Sequence, residues 1–185
     1  MSVNDNPNNA PEAGLIGGVE RREIRIVDYD ADWPAKFEKH RNVIRGALGD
    51  AALRIEHIGS TSVPALAAKP IIDILVVVQN SADEPTYLPQ FEAAGYVLRV
   101  REPDWNEHRM FRTPQKDVHV HVYSTGCPEI QRNLIFRDRL RQKVDDKLRY
   151  EQTKRELAKK HWSNMDEYAA AKTEVIESII AASSR

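Results

Sequence analysis

The chain has few cysteines and no long apolar run, the features typical of many secreted and membrane proteins. Its one cysteine, Cys127, excludes an intrachain disulfide and leaves no group of thiolates for a structural zinc site. The longest apolar run, residues 71–78, is far shorter than the roughly 20 residues needed to cross a bilayer, and Asp73 interrupts it. We therefore expect a cytoplasmic protein without a membrane partner.

Neither sign of charge dominates the sequence. Lys and Arg total 27, Asp and Glu total 28, and the formal net charge is -1. Because there is no global positive field, nucleic acid is not an expected partner, and any anionic ligand must be held by local geometry. The oligomeric state is left open by the composition.

The N-terminal residues differ in composition from the rest of the chain. Residues 1–20 are rich in asparagine, proline and glycine, and they lack the basic start and apolar stretch of a secretory signal. We expect a disordered leader there. Residues 21–185 are expected to form a single domain, since hydrophobic residues make up 41% of the sequence and this length is usual for one domain.

Hydrophobic periodicity predicts a protein of mixed secondary structure. Apolar residues in alternating or continuous runs predict strands at residues 23–27, 53–58, 71–78, 96–100, 110–112 and 117–123. Helical spacing predicts a helix from an N-cap at Asp32 to a stop at Gly49, and another over 82–94.

The C-terminal third is predicted to be helical throughout. Apolar residues recur at helical spacing from residue 129 onward without an internal proline, and two breaks divide the segment into three helices. Ser163 or Asn164 is the predicted cap of the last helix. The fold class is therefore α/β (α+β), with a mixed sheet, flanking helices and a helical cap.

Chemistry-bearing residues cluster between the two central strands. Glycine at position 59 lets the backbone approach a phosphate, and Ser60 and Thr61 add hydroxyl donors. Asp73 follows within an apolar strand, where a carboxylate is costly to bury unless it meets a metal ion, a cation or hydrogen bonds. A purely structural link from Asp73 to the loop carrying Lys69 is the alternative.

A second cluster lies on the strand DVHVHVY, residues 117–123. Alternation places Asp117, His119 and His121 on one face of this strand and the valines on the other. Imidazole suits Mn²⁺, Zn²⁺ or Fe²⁺ better than Mg²⁺. We therefore expect Asp73, His119 and His121 to bind a metal ion, with His121 also a candidate catalytic base; a solvated strand face is the alternative.

Three segments resemble the GrpB family. The segment EHIGSTSVPALAAKPIIDI, residues 56–74, resembles its signature, and FRDRLR (136–141) and YAAAKTEVI (168–176) resemble its helical part. The family belongs to the nucleotidyltransferase superfold. The resemblance therefore implies a nucleotidyltransferase-like mixed sheet, a nucleoside triphosphate as ligand, and a divalent metal, Mg²⁺ or Mn²⁺, as cofactor.

The resemblance also implies roles for individual residues. Gly59, Ser60 and Thr61 correspond to the loop that holds the phosphates, and Asp73 corresponds to a metal-binding aspartate. Basic and tyrosyl groups of the helical cap, with a lysine of the loop, are expected to bind the triphosphate. The candidates for this role are Lys69, Arg137, Tyr168 and Lys172.

One position departs from the superfold's pattern. A second metal-binding aspartate is expected two residues after Asp73, but the chain has Leu75 there. Three interpretations remain open: a nucleotidyltransferase that recruits other metal ligands, a non-catalytic binding module of the same fold, and a metal-dependent hydrolase that uses Asp73, His119 and His121.

Overall fold

Five strands form one sheet in the computed structural model, which describes residues 14–18, 23–162 and 165–184. The strands are β1 (Arg54–Ile58), β2 (Ile72–Val78), β3 (Val97–Glu102), β4 (His108–Arg112) and β5 (Val118–Ser124). Their order in the sheet is β1-β2-β5-β4-β3. The pairing of β2 with β5 is parallel, and the other pairings are antiparallel. The sheet is therefore mixed, as predicted.

Helices cover both faces of this sheet. They are α1 (Trp33–Leu48), α2 (Leu88–Ala93), α3 (Pro128–Gln142), α4 (Val144–Ala158), α5 (Met165–Ala170) and α6 (Thr173–Ala181). The predicted α/β (α+β) class with a helical C-terminal third is confirmed. None of the helices in the described ranges has the length and hydropathy needed to span a bilayer.

Strand alternation separates the two faces of β2 and β5. Ile74 of β2 and Val120 of β5 point to one face, where they pack with aromatic and aliphatic residues of α1 and α2 in the largest apolar core. Leu75 and Tyr123 point to the other face and pack against α3. The face that packs against α3 also carries the polar residues Asp73, His119 and His121, because alternate residues of a strand share a face.

A third apolar cluster attaches the helical cap to the loop between β1 and β2. Val63 and Leu66 of this loop are buried with Leu140 of α3, Tyr150 of α4 and Ile179 of α6. The loop lies between the sheet and the cap because its apolar residues have partners on α3, α4 and α6. This packing encloses the end of the sheet where Gly59 and Asp73 lie.

Several sequence predictions need correction. Residues 23–26 are not a strand, and only Val27 forms an isolated bridge with Ala68. The helix predicted over 82–94 is limited to α2, preceded by a single 3-10 turn at Glu84–Thr86. Prolines in that segment explain the difference, since they lack the amide that a helix interior requires.

Helix ends also differ from expectation. The Asp32 side chain does not cap α1; instead its own amide donates to Asp30 Oδ1 at 2.8 Å. Gly49 follows the last residue of α1, as predicted. The described part of the C-terminal third contains four α-helices rather than three, because a turn near Lys172 separates α5 from α6. The predicted cap at Ser163 or Asn164 lies outside the described residues.

Part of the predicted leader pairs with the sheet. Leu15 forms a bridge with Val100 of β3, and the Ile16 amide donates to the Arg99 carbonyl at 2.8 Å. Residues 1–13, 19 and 20 of the predicted leader lie outside the described residues.

Candidate metal and phosphate site

The turn after β1 is built around Gly59. Its φ of +67° and ψ of -174° lie in a region that is essentially confined to glycine. A Cβ at this position would lie 2.5 Å from Asp73 Oδ2, which is closer than any tolerable contact. Glycine therefore serves both the conformation of the turn and the close approach of Asp73.

Side chains hold this turn in place from two directions. The Ser62 hydroxyl donates to the Gly59 carbonyl at 2.6 Å, and the Arg141 guanidinium of α3 donates to the Ser62 carbonyl at 2.8 and 3.1 Å. The Thr61 hydroxyl donates to the Ile71 carbonyl at 3.0 Å and lies 3.1 Å from His57 Nε2. Thr61 lines the cavity, but its hydroxyl links the turn to the start of β2.

Asp73, His119 and His121 converge at the end of the turn. Asp73 Oδ1 lies 3.7 Å from His119 Nδ1 and 3.6 Å from His121 Nε2, distances too long for hydrogen bonds. The three ligand atoms lie within 4.8 Å of one another. Two atoms that each bind one ion at about 2.1 Å can be up to about 4.2 Å apart, so both Asp73–histidine pairs are close enough to share an ion.

The sheet register explains this convergence. Parallel pairing of β2 with β5 sets Asp73 opposite His119 and Leu75 opposite His121. Burial alone would raise the pKa of Asp73, but His121, His119 and Lys69 lower it by more than burial raises it, so the pKa lies below its usual value. The carboxylate is thus ionised and available to a cation.

The donor set suits some metals better than others. One carboxylate and two imidazoles match Mn²⁺, Fe²⁺ or Zn²⁺, whereas Mg²⁺ prefers oxygen ligands throughout. Leu75 is fully buried beneath α3, where it packs with Ile58 and Tyr123. The position at which the sequence resemblance implies a second acid is therefore part of the apolar core, and Leu75 cannot contribute a ligand.

A buried histidine extends the cluster into the sheet. His108 of β4 is 6% exposed; its Nε2 lies 3.1 Å from His121 Nδ1, and its Nδ1 lies 2.6 Å from Glu102 Oε2. Burial, together with His121 and Arg109, lowers the pKa of His108 to about 3, so the ring is neutral. Neither His108 nor Glu102 is among the residues predicted from the sequence, since both lie between the strands predicted at 96–100 and 110–112.

Lysines form the opposite wall of the site. Lys154 of α4 is 3% exposed; its Nζ donates to Ser60 Oγ at 3.0 Å and to the Ala67 carbonyl. Burial and the charge of Lys172 lower the pKa of Lys154 to about 7. Burial and Lys69 lower the pKa of Lys172 to about 8. A bound anion would favour the charged form of these lysines.

Tyr168 lies at the centre of the lysine group. Its ring lies beneath two ammonium groups, with Lys69 Nζ 5.1 Å and Lys172 Nζ 4.6 Å from the ring centroid. Burial raises the pKa of the Tyr168 hydroxyl to about 12, so the phenol stays protonated. The aromatic ring thereby holds two lysines at the mouth of the cavity through cation–π contacts.

These groups line one cavity of about 390 Å³. It contains the predicted residues Gly59, Ser60, Thr61, Lys69, Asp73, His119, His121, Tyr168 and Lys172, together with Lys154, Arg132, Asn133 and Tyr150. Its remaining wall is largely apolar, with Ile26, Ile71, Ala169, Ile176 and Ile180.

Arg137 does not belong to this cavity. Its guanidinium donates to Glu56 Oε2 at 2.8 Å and to the His57 carbonyl at 3.1 Å. It lines a separate surface groove with Glu56, Ser62 and Arg141. The structure thus gives Arg137 a role in joining α3 to β1, away from the residues expected to bind phosphate.

The mixed sheet, the Gly-Ser turn and the aspartate on the next strand define an α/β protein whose candidate site lies where the turn after β1 meets β2 and β5. Residues 23–182 match the family model described as GrpB protein, and the chain belongs to the GrpB family. The crystal structure of the conserved protein GrpB from Enterococcus faecalis superposes with a TM-score of 0.76 at 35% identity, covering 86% of this chain and 96% of that one.

Two curated relatives are similar over most of their length. A UPF0157 protein from Halalkalibacterium halodurans is 50% identical over 157 residues, which is 85% of this chain and 80% of the relative. A UPF0157 protein from Streptomyces coelicolor is 51% identical over 165 residues, which is 89% of this chain and 87% of the relative.

Proposed function

We propose that this GrpB-family protein binds a nucleoside triphosphate together with a divalent metal ion and transfers the nucleotidyl group to an acceptor. The observation that carries the proposal is the convergence, in one cavity, of a glycine turn, three metal-type ligands and a group of lysines. The volume of about 390 Å³ falls within the usual range of small-molecule sites.

Two groups of residues in the cavity would have different roles, one in metal binding and the other in phosphate binding. Asp73, His119 and His121 would hold the metal ion, which when bound would neutralise phosphate charge and polarise a phosphoryl oxygen. Lys154 and Lys172 would face the rest of the phosphate chain, since cations aimed at transferring phosphoryl groups stabilise the charge of the transition state.

The apolar wall provides a surface for the nucleoside. Ile26, Ile176 and Ile180 line the same cavity as the charged groups. A nucleobase presents apolar faces, so an aliphatic wall next to a cationic phosphate site matches both halves of a nucleotide.

Isothermal titration calorimetry tests binding. ATP, GTP, CTP and UTP are titrated into the full chain with Mn²⁺ and, separately, with EDTA. We expect Mn²⁺-dependent binding of at least one nucleotide and, in a separate assay with an added acceptor, release of pyrophosphate as the acceptor displaces it from the α-phosphorus. A protein that binds no nucleotide under either condition would contradict the proposal, and binding without pyrophosphate release in the presence of acceptors would favour the non-catalytic module.

Matched variants show whether the cavity is responsible. Asp73→Asn should abolish the metal dependence, and Lys154→Met should weaken nucleotide binding. Lys159→Met is the control, because Lys159 follows the same helix, α4, but is largely exposed and paired with Glu156 at 3.2 Å. Equal losses in Lys154→Met and Lys159→Met would show that the lysine wall is not the binding surface.

Hydrolysis is a second candidate, favoured by the donor set. Two imidazoles and one carboxylate form a single-metal site, and Leu75 excludes the usual second carboxylate. Elemental analysis of the purified protein separates the two functions. Tightly bound Zn²⁺ or Fe²⁺, with phosphate ester cleavage in the absence of any acceptor, would favour the hydrolase.

A further inference from the structure

Four side chains form a connected series from the edge of the sheet to the cavity. Glu102 of β3 contacts His108 of β4, His108 contacts His121 of β5, and His121 faces Asp73 of β2. The rings of His108 and His121 are nearly parallel, at 14°, with a nitrogen–nitrogen distance of 3.1 Å. This geometry suits a hydrogen bond between the two imidazoles.

The chemistry of the donors sets the direction of each hydrogen bond. A carboxylate can only accept, so His108 Nδ1 carries the proton that it donates to Glu102. A histidine ring that is only 6% exposed is costly to charge, so His108 keeps its one proton on Nδ1 and its Nε2 has a lone pair that accepts the Nδ1 proton of His121. A neutral His121 consequently has its lone pair on Nε2, the atom that lies 3.6 Å from Asp73 Oδ1.

We propose that Glu102 and His108 are positioning residues that keep His121 in the one tautomer able to bind a metal ion through Nε2. The inference rests on the metal site of the proposed function. When a carboxylate or carbonyl accepts a hydrogen bond from the ring nitrogen that does not bind the metal, it fixes the orientation of the ligating histidine and raises its basicity. Here His108 accepts this hydrogen bond from His121, and Glu102 in turn accepts a hydrogen bond from His108.

Packing around His108 supports a fixed orientation. Its ring lies 4.9 Å from the Tyr123 ring at 23°, and Trp105 meets it edge-on at 5.4 Å. Glu102 and His108 are also Cα partners across β3 and β4. The two aromatic neighbours restrict rotation of the His108 ring, and the strand register keeps Glu102 beside it.

Nitrogen-15 NMR of the metal-free full chain reads the tautomer directly. We expect His121 to be protonated at Nδ1 and unprotonated at Nε2 in the wild type, and to become a mixture of tautomers in His108→Phe. A wild-type His121 protonated at Nε2 would overturn the inference. This measurement requires neither metal nor turnover.

Calorimetry with Mn²⁺ alone measures the consequence. His108→Phe keeps an aromatic ring but removes the acceptor, and we expect about 10- to 100-fold weaker Mn²⁺ binding. His108→Gln retains an amide oxygen that can accept from His121 Nδ1, and it should restore part of this loss. His40→Phe is the control, because His40 is a half-buried histidine that is hydrogen-bonded to Tyr96 and lies outside the cavity.

The outcomes separate this inference from the proposed function. If the wild type binds no Mn²⁺ in the absence of nucleotide, the nucleotide titrations decide the proposed function, and the tautomer of His121 alone decides the inference. If the wild type binds Mn²⁺ and His108→Phe binds it equally well while remaining folded by circular dichroism, the inference is overturned and the proposed function stands.

Discussion

Replacing Gly59 with alanine combines a backbone cost with a collision at the metal site. A non-glycine residue in this region of φ and ψ costs about 1–3 kcal/mol. For a chain of this size, each kcal/mol lowers the melting temperature by about 2–4 °C, so we expect a loss of roughly 2–12 °C. In addition, the new methyl group would lie 2.5 Å from Asp73 Oδ2 and 3.1 Å from Asp73 Cβ, so the carboxylate must move.

Thermal unfolding and Mn²⁺ calorimetry measure the two effects separately. Gly49→Ala is the matched control, because Gly49 also has a positive φ, +52°, but a Cβ there meets nothing within 4 Å. Both variants should lose stability, whereas only Gly59→Ala should lose Mn²⁺ affinity. The reasoning is refuted if Gly59→Ala binds Mn²⁺ like the wild type, since Asp73 would then not depend on the space that glycine leaves.

Three further predictions concern charge. Leu75→Asp should not create a second metal site, and it should destabilise the fold by several kcal/mol, because the carboxylate would be buried without a partner. Titration with Mn²⁺ tests the first expectation, and urea unfolding tests the second. Burial lowers the pKa of Lys154 to about 7 in the folded chain, whereas the usual value is 10.5. Between these two pH values the unfolded chain binds more protons than the folded chain, so the free energy of unfolding should rise with pH. Urea unfolding across this pH range measures the change in the free energy of unfolding, and Lys154→Met should make its rise with pH smaller. Arg137→Ala should cost roughly 3 kcal/mol by breaking the pair with Glu56 and leave nucleotide calorimetry unchanged; a folded variant that loses nucleotide binding would place Arg137 at the ligand after all.

Local patterns were sufficient to predict the part of the site that lies on two strands. An interrupted apolar run singles out Asp73, and strict alternation puts His119 and His121 on one face. The need for glycine at position 59 can be recognised only from the three-dimensional structure, because a Cβ there would lie 2.5 Å from Asp73 Oδ2. The predicted metal ligands are brought together because β2 and β5 pair in parallel.

Residues whose placement depends on distant packing were harder to predict. His108 enters the site only through the antiparallel register of β4 with β5, and its tract has too few apolar residues to show a period. Arg137 and Lys154 both lie on amphipathic helices, where periodicity defines a face but does not say what that face contacts. The structure directs Arg137 to Glu56 and Lys154 to Ser60.

The lysine group affects how ligands should be sought. Lys69, Lys154 and Lys172 come from three separate segments, and burial together with the repulsion among them lowers the pKa of Lys154 and Lys172. Any small polyanion that neutralises this repulsion will tighten the helical cap, whether or not the protein acts on it. Phosphate, sulfate or citrate in a screening buffer would therefore raise the melting temperature and hide a genuine substrate, so a thermal-shift screen should be run in chloride with a zwitterionic buffer.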